Sequence, residues 1–451
     1  MTRITEKLLR CLWAEKAWKR KDLSDTSGMP VKVISPGWWN LEAGPDFHQA
    51  IVRIGKVLRG DVEVHRKSSD WIKHGHNRDA NYNRTILQVV FEQDMPRDAR
   101  TAAGRLIHVL ILGKYYPADS PVFKLLQKKI NQFPAASWSG LNCPVRALRN
   151  VSGNREEWLA GLGEKRLEAK ARWFGQQVEE CSKDQLLYRS LLMALGFKKD
   201  KKQFSRISVL APYASTRAYF SPSLFLGLAG WLEKKYENNP YFEKLVKEWK
   251  NLPETLRGRT MVSDDWRISG ARPANFPVRR LAAAGILFAG MPEQLFATFY
   301  RIWSRARDPE KAWLKIKKMF TLPQDKYWSW HYTLSGKKLD TACCLIGEMR
   351  VRSIMIDVLL PLFLANAWEK KDAEQEKKIR RFYRTFPKSA SNYITRLMCQ
   401  RLFGKPEKDV DILKTACSQQ ALIHLFKEYC KKCGAEKPCL SLENLPHDIA
   451  G

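Results

Sequence analysis

The chain has 451 residues, enough for two or three domains, and 44% are hydrophobic, as in ordinary globular proteins. Lysine and arginine outnumber the acidic residues 78 to 47, and the net charge of +31 favours a polyanionic partner, nucleic acid before an anionic membrane surface. A solvated basic surface with no such partner is the alternative. No apolar run reaches the about 18 residues that a membrane span needs, so we expect a cytoplasmic protein without membrane contact.

Period-two hydrophobic patterns predict a mixed sheet early in the chain, after an amphipathic helix over Thr5–Trp18. The predicted strands are, in order, Val31–Trp38, Ile51–Gly55, Val57–His65, Thr85–Glu92 and Arg105–Leu112. A helix, hairpin strands, a crossover and further strands, in that order, are typical of a mixed α/β sheet.

The pattern changes near residue 120, where apolar residues begin to recur at spacings of three and four. We therefore predict an α+β protein, with a small mixed α/β domain over residues 1–118 and a large irregular helical region over residues 119–451. The helical region carries a cysteine-containing tail, and it shows no clean repeat period of the kind that solenoids have.

Acids and an imidazole are concentrated around the predicted hairpin. Asp46 follows a Gly-Pro turn, and Glu63 and His65 share one face of a strand because side chains alternate. Two carboxylates brought together here are hard oxygen ligands suited to Mg²⁺ or Mn²⁺. The alternative is a buried polar turn beside an exposed strand face.

Pro45-Asp46, followed by Glu63-Val64-His65, resembles the PD-(D/E)xK nuclease superfamily, where a Pro-Asp precedes a β-hairpin and an acid-x-Lys closes it. The resemblance implies a restriction-endonuclease-like sheet, metal ligation by Asp46 and Glu63, and Glu42 as an auxiliary acid. His65 stands where the superfamily usually has Lys, and an imidazole there can serve as a base or as a phosphate contact.

Several motifs follow one another along the chain: Gly44-Pro-Asp-Phe, Gly60-Asp-Val-Glu-Val-His, Ser68-Ser-Asp-Trp71, His74-Gly-His76 and Arg272-Pro-Ala-Asn-Phe-Pro277. Their order is similar to that in the bacterial domain-of-unknown-function family 2851. The resemblance spans most of the chain and implies a mixed α/β part followed by a long helical remainder, without supplying a function. Gln88 departs from it, because a histidine is expected at that position.

Histidines supply a second candidate metal site. His74 and His76 flank Gly75, and both can bind one transition metal, with His65 or an aspartate such as Asp70 completing the ligand set. The alternative is a polar loop whose imidazoles bond to the backbone.

Cysteines near the end of the chain form a third candidate site. Cys430, Cys433 and Cys439 have a spacing that suits one Zn²⁺ ion or an iron–sulfur cluster, with Cys143 or Cys417 as the fourth ligand. Three reduced thiols on a lysine-rich tail are the alternative.

Basic residues surround a predicted helix start at Pro277. Arginines beside a helix N-terminus make a phosphate clamp, and the residues of this candidate nucleic-acid contact are Arg272, Asn275, Arg279 and Arg280. In the alternative interpretation the loop packs its aromatic residues and leaves its arginines in water.

These patterns lead to the expectation of a metal-dependent nuclease acting on DNA or RNA. The alternative from another class is a non-catalytic nucleic-acid-binding or scaffold protein on a degenerate nuclease fold, which His65 in place of Lys favours. A hydrolase of another phosphorylated substrate is the third possibility.

Overall fold

The computed structural model describes residues 4–15, 22–40, 44–95, 99–130, 133, 154–197, 199–233, 236, 239–266, 272–403, 407 and 410–430. The chain forms two compact units. The sheet unit comprises the described residues within 1–155, 391–411 and 422–451, and the helical unit comprises those within 156–390 and 412–421. The sequence-based boundary at 118/119 marks the change of secondary structure and remains a prediction as a domain boundary.

The sheet unit begins with helix α1, Glu6–Ala14, and contains six strands. The strands are β1 Val31–Ser35, β2 Trp38–Trp39, β3 Phe47–Ile54, β4 Lys56–Lys67, β5 Thr85–Glu92 and β6 His108–Ile111. Their order in the sheet is β1-β3-β4-β5-β6, and β2 pairs with β3. Helix α2, Asp70–Lys73, lies between β4 and β5, and helix α3, Pro121–Lys129, follows β6.

The central strands combine a hairpin with a parallel crossover. β3 and β4 are antiparallel and turn at Gly55, whose φ of +66° favours glycine. β4 and β5, and then β5 and β6, are parallel, and the parallel β4–β5 pair needs the longer connection over residues 68–84. The predicted α+β class, with a mixed sheet before a helical remainder, is confirmed.

Helix α1 packs against β4 and begins at Thr5, whose side chain accepts the Leu8 N–H at 3.3 Å. Its predicted apolar face is buried, with Leu8 and Trp13 fully inaccessible. The polar face of the same helix carries Arg10, which reaches the candidate site described below.

The described residues from Arg155 onward fold mainly into helices. The longer ones are Arg155–Val178, Lys183–Leu195, Lys201–Leu210, Pro222–Leu228, Pro240–Lys250, Pro277–Ala289, Leu295–Arg305, Pro309–Met319, Leu360–Glu369, Ala373–Thr385, Tyr393–Phe403 and Ala416–Leu425.

One long helical stretch combines two α-helices and a π turn. Glu348–Ile354, a π turn over Met355–Leu359, and Leu360–Glu369 join into 22 consecutive helical residues. Among the described residues it alone is long and apolar enough to cross a membrane, and 78% of its apolar window is buried within the protein. That degree of burial is typical of a core helix.

Candidate metal centre

Asp46 immediately precedes β3, and its carbonyl accepts the Asn40 N–H at 2.6 Å. The Asp46 carboxylate is buried; its Oδ2 accepts the Val64 N–H at 3.1 Å and lies 2.8 Å from Arg10 Nε. Burial, and then the charge of Glu63, raise the pKa of Asp46 well above its ordinary value, while Arg10 acts in the opposite direction.

Glu63 is the central carboxylate of the site and is only 4% exposed. Its Oε2 accepts the Asp46 N–H at 2.8 Å. Its Oε1 lies 3.4 Å from His65 Nε2 and 3.3 Å from His76 Nε2. Burial raises the pKa of Glu63 to about 8, although Arg10 lowers it. Ionising a carboxylate in this environment costs free energy unless a cation compensates the charge.

Three imidazoles meet beside Glu63. Ligand nitrogens of His65, His74 and His76 all lie within 4.8 Å of one another. His65 and His76 are buried and stacked with ring centroids 5.2 Å apart, and His74 is exposed. Burial, and then the two neighbouring imidazoles, lower the pKa of His65 to about 2. His65 is therefore neutral near pH 7, the state in which an imidazole binds a metal.

The loop between β4 and β5 positions the second and third imidazoles. Helix α2 ends at Lys73 with His74 as its C-cap, and the chain reverses at Gly75, whose φ of +74° is a left-handed conformation that favours glycine. The reversal turns His76 inward, where its ring stacks on Tyr82 with centroids 3.8 Å apart. The indole of Trp71 meets the His76 ring edge-on at 5.3 Å.

The separations around Glu63 Oε1 match those between ligands of a tetrahedral metal ion. Ligand atoms at the usual metal distances and tetrahedral angles lie about 3.3–3.4 Å from one another. The observed values are 3.3 Å and 3.4 Å, longer than an ordinary N–H···O hydrogen bond of about 2.7–3.2 Å. Three imidazole nitrogens and one carboxylate oxygen suit Zn²⁺ and neighbouring transition metals better than Mg²⁺.

Gln88 on β5 contacts the outer edge of the His65 ring. Its Nε2 lies 3.0 Å from His65 Nδ1 and donates to the Ser68 carbonyl at 3.2 Å, whereas its buried Oε1 makes no hydrogen bond. With Gln88 Nε2 as the donor, His65 accepts at Nδ1. Binding a metal through the Nε2 lone pair of His65 instead requires a proton on Nδ1 and a rotated Gln88 amide, which would give up the bond to Ser68. Gln88, which stands where the family resemblance implies a histidine, therefore contacts the imidazole cluster directly.

Two aspartates near the histidines have local roles. Asp70 accepts the Lys67 N–H at 3.0 Å, and Asp79 accepts the Asn81 N–H at 3.0 Å. Both carboxylates therefore stabilise turns in the β4–β5 connection. In this structure the Glu63 carboxylate supplies an oxygen that faces the imidazoles of His65 and His76.

Several predicted site residues lie outside the described part of the chain: Glu42, Cys143, Cys433, Cys439 and the side chain of Cys430. Cys417, a candidate fourth ligand for the tail, is described and buried. Its thiol donates to the Ala160 carbonyl at 3.2 Å, and burial raises the pKa of Cys417 to about 12. A raised pKa opposes the thiolate form that a metal needs.

The predicted arginine clamp is mostly internal. Arg279 is 1% exposed and donates to main-chain carbonyls, including that of Trp328 at 3.2 Å. Arg280 is 6% exposed and donates to the side-chain oxygen of Asn275. The alternative that left these arginines in water is therefore wrong for both. Arg272 is exposed, and a role in nucleic-acid binding for these residues remains a prediction.

Sequence reasoning missed three contributors to the site. Arg10 and Glu6, four residues apart on the polar face of α1, lie 3.5 Å from each other, and both act electrostatically on Asp46. A Glu–Arg pair at this spacing is common on exposed helices, so the sequence carried no specific signal. The third is His48, whose Nδ1 lies 3.2 Å from Asp61 Oδ1.

The fold and the site can be compared with known proteins. No curated protein and no solved structure matches the chain. Residues 6–392 match the family described as "Protein of unknown function (DUF2851)", and this stretch contains the whole acid and imidazole cluster. Because the match covers most of the 451 residues, the chain belongs to the DUF2851 family.

Proposed function

We propose that the protein is a metal-dependent phosphodiesterase that acts on DNA or RNA. The observation that carries the proposal is the buried Glu63 Oε1, with His65 Nε2 and His76 Nε2 at 3.4 Å and 3.3 Å. A buried acid at ligand spacing from imidazole nitrogens is an arrangement that suits a bound metal ion. The hairpin-plus-parallel-strand topology and the charge of +31 support a phosphodiester polymer as the substrate.

Each residue of the site has a distinct task under this proposal. Glu63, His65, His74 and His76 hold the cation, and the Asp46 N–H fixes the second oxygen of Glu63 at 2.8 Å. Gln88 fixes the rotation of the His65 ring. A bound divalent cation would lower the pKa of a coordinated water and counter the charge of a phosphodiester. Basic side chains elsewhere would hold the polyanion.

The runner-up is a non-catalytic nucleic-acid-binding protein on a degenerate nuclease fold. The observation that favours it is the 2.8 Å contact between Arg10 Nε and Asp46 Oδ2, which neutralises one of the two predicted metal-binding carboxylates. A histidine replaces the superfamily lysine at His65 as well. Under this alternative the protein binds nucleic acid, with affinity falling steeply as salt rises, and leaves the polymer intact.

The test combines metal analysis with cleavage. Protein stripped with a chelator is supplied with Zn²⁺, Mn²⁺, Co²⁺ or Mg²⁺ and incubated with labelled single-stranded DNA, duplex DNA and RNA. We expect cleavage of at least one polymer, with a transition metal more effective than Mg²⁺. Glu63→Gln should abolish cleavage and metal binding while keeping the fold, because it removes a charged ligand with little change in volume.

Glu92→Gln is the matched control, since Glu92 is an exposed carboxylate on the neighbouring strand β5. It should retain metal binding and cleavage. If the protein binds the polymers at low salt but cleaves none of them with any metal, the phosphodiesterase proposal is overturned in favour of the non-catalytic binding protein. Absence of both binding and cleavage would remove both candidates.

A further inference from the structure

One long connection in the helical unit, residues 321–347, contains neither helix nor strand. All of its residues are described, and it links the helix Pro309–Met319 to the helix that begins at Glu348. Connections of this length without secondary structure are uncommon inside a compact unit and often carry function. Rings are concentrated in its first half: Tyr327, Trp328, Trp330, His331 and Tyr332.

Hydrogen bonds hold both arms of this connection. Asp325 Oδ1 accepts the Trp328 N–H at 2.6 Å, and the Cys343 N–H donates to the Ser329 carbonyl at 2.8 Å. The buried Arg279 donates to the carbonyls of Trp328 and Cys343, at 3.2 Å and 3.1 Å. The two arms are thus tied to each other and to one helix. Rings on a fixed backbone lose little conformational entropy when a ligand binds.

Three rings are stacked at this connection. The Tyr327 ring stacks on Tyr241 and on His331, with centroids 4.1 Å apart in each pair and planes within 6° and 11° of parallel. His331 Nδ1 lies 3.0 Å from the Tyr327 carbonyl, and Tyr327 Oη accepts from Asn239 Nδ2 at 3.1 Å. All three stacked residues are partly exposed, whereas Trp328 is fully buried and belongs to the core. The stack is therefore positioned by polar contacts and remains accessible to solvent.

Positive charge accompanies the rings. Lys338 Nζ lies 5.0 Å from the centroid of the partly exposed Trp330 ring, a distance typical of a cation–π contact. Lys326, Lys337 and Lys338 are exposed within the connection, and Asp340 is its one exposed acid. Accessible aromatic faces beside cationic side chains are the two components of sites that bind single-stranded nucleic acid.

We propose that Tyr241, Tyr327, Trp330 and His331 form a stacking platform for single-stranded DNA or RNA, an inference that rests on the nucleic-acid partner of the proposed function. Unpaired bases stack on the partly exposed rings, and the exposed lysines contact phosphates. Bases inside a duplex are stacked on one another, so a duplex offers these rings no free base faces along its length. The alternative is an aromatic cluster that only stabilises the connection.

The experiment measures binding of the full chain to fluorescent thymidine DNA and uridine RNA homopolymers and to a DNA duplex, with a chelator present to prevent cleavage. At physiological salt, single strands should bind more tightly than the duplex. Trp330→Ala and His331→Ala should each weaken single-strand binding about 5–100-fold, whereas Trp330→Phe, which keeps a ring face, should stay close to wild type. Trp173→Ala is the matched control, because Trp173 is 43% exposed on a different helix of the same unit.

The outcomes distinguish the platform from the phosphodiesterase. If single strands bind as expected but no metal supports cleavage, the platform stands and the phosphodiesterase is overturned. If both alanine variants bind single strands like wild type, or wild type binds the duplex at least as tightly or binds no single strand, the platform is overturned and the cleavage assay decides the phosphodiesterase separately. If the alanine variants lose binding together with thermal stability and Trp330→Phe loses both as well, the rings are structural and the platform is overturned.

Discussion

Two buried ionisable side chains, Arg279 in the helical unit and Glu63 in the sheet unit, have different kinds of neighbour. In the helical unit, Arg279 meets main-chain carbonyls with its guanidinium nitrogens, at 3.1–3.4 Å. In the sheet unit, Glu63 Oε1 faces His65 Nε2 at 3.4 Å and His76 Nε2 at 3.3 Å, and burial raises the pKa of Glu63 to about 8.

The difference separates a charged side chain whose donors are satisfied by carbonyls from the site at which we propose a metal ion. A guanidinium has five donors in a fixed fork, and neutral carbonyls of converging segments satisfy Arg279 without a second charge. A carboxylate among imidazoles has acceptors facing acceptors unless protons or a cation intervene. Burial alone therefore does not identify a functional group, and the proposed metal centre rests on burial together with ligand spacing.

The largest expected effect is the loss of stability when Arg279 is replaced. Arg279→Met should destabilise the helical unit by about 3 kcal/mol or more, because buried carbonyls lose a charged donor. Arg272→Met, at an exposed position in the same motif, should change the unfolding free energy by less than about 0.5 kcal/mol. Urea titration measures both. An Arg279→Met protein of wild-type stability that no longer binds nucleic acid would instead support the predicted phosphate contact.

The next effect is the pH dependence of the metal-free sheet unit. The pKa of Glu63 is about 8 in the folded protein, above its ordinary 4.5, so between these values the folded state holds the proton that the unfolded state has lost. Stability should therefore fall as pH rises from 4.5 to 8, by at most about 1.4 kcal/mol per pH unit for a single proton.

In thermal unfolding of the metal-free protein, Glu63→Gln should remove most of the loss of stability between pH 4.5 and 8. The contribution of Asp46, whose pKa is raised too, should remain. On the acid side the sign reverses for His65. Its pKa of about 2 lies below the ordinary 6.5, so its contribution to stability is lost as pH falls below 6.5. Saturating Zn²⁺ should abolish this loss of stability in the wild-type protein. An unchanged slope of stability against pH would show that Glu63 does not bind the metal.

The smallest expected effect is on Zn²⁺ affinity when Gln88, which contacts His65, is replaced. Gln88→Leu should weaken Zn²⁺ binding by about 10–100-fold, because His65 loses the partner that fixes its ring. Gln88→His places a fourth imidazole at this position and should bind metal more tightly than Gln88→Leu. Competition titration against a coloured chelator measures both variants, and Gln93→Leu, at an exposed residue just after β5, is the control. Equal affinities in all three proteins would place Gln88 outside the centre.

The local pattern was sufficient for part of the site. Alternation along β4 places Glu63 and His65 on one face, and their ligand atoms lie 3.4 Å apart. The same alternation placed Asp61 beside them, yet Asp61 contacts His48. A bulge in the partner strand decides that contact, and neither its position nor the left-handed Gln49 has a clear sequence signal.

The sequence by itself determined the α+β class, the hairpin with its acids, and the change to helical spacing near residue 120, because these depend on local periodicity and turn residues. Only the tertiary structure decided that His76 turns inward to Glu63, that Arg10 binds Asp46, and that Arg279 is internal. Those outcomes depend on burial and on contacts between residues distant in sequence. Charge and spacing are the same in the sequence whether a side chain faces water or the core, and only the folded neighbours set its partners and its pKa.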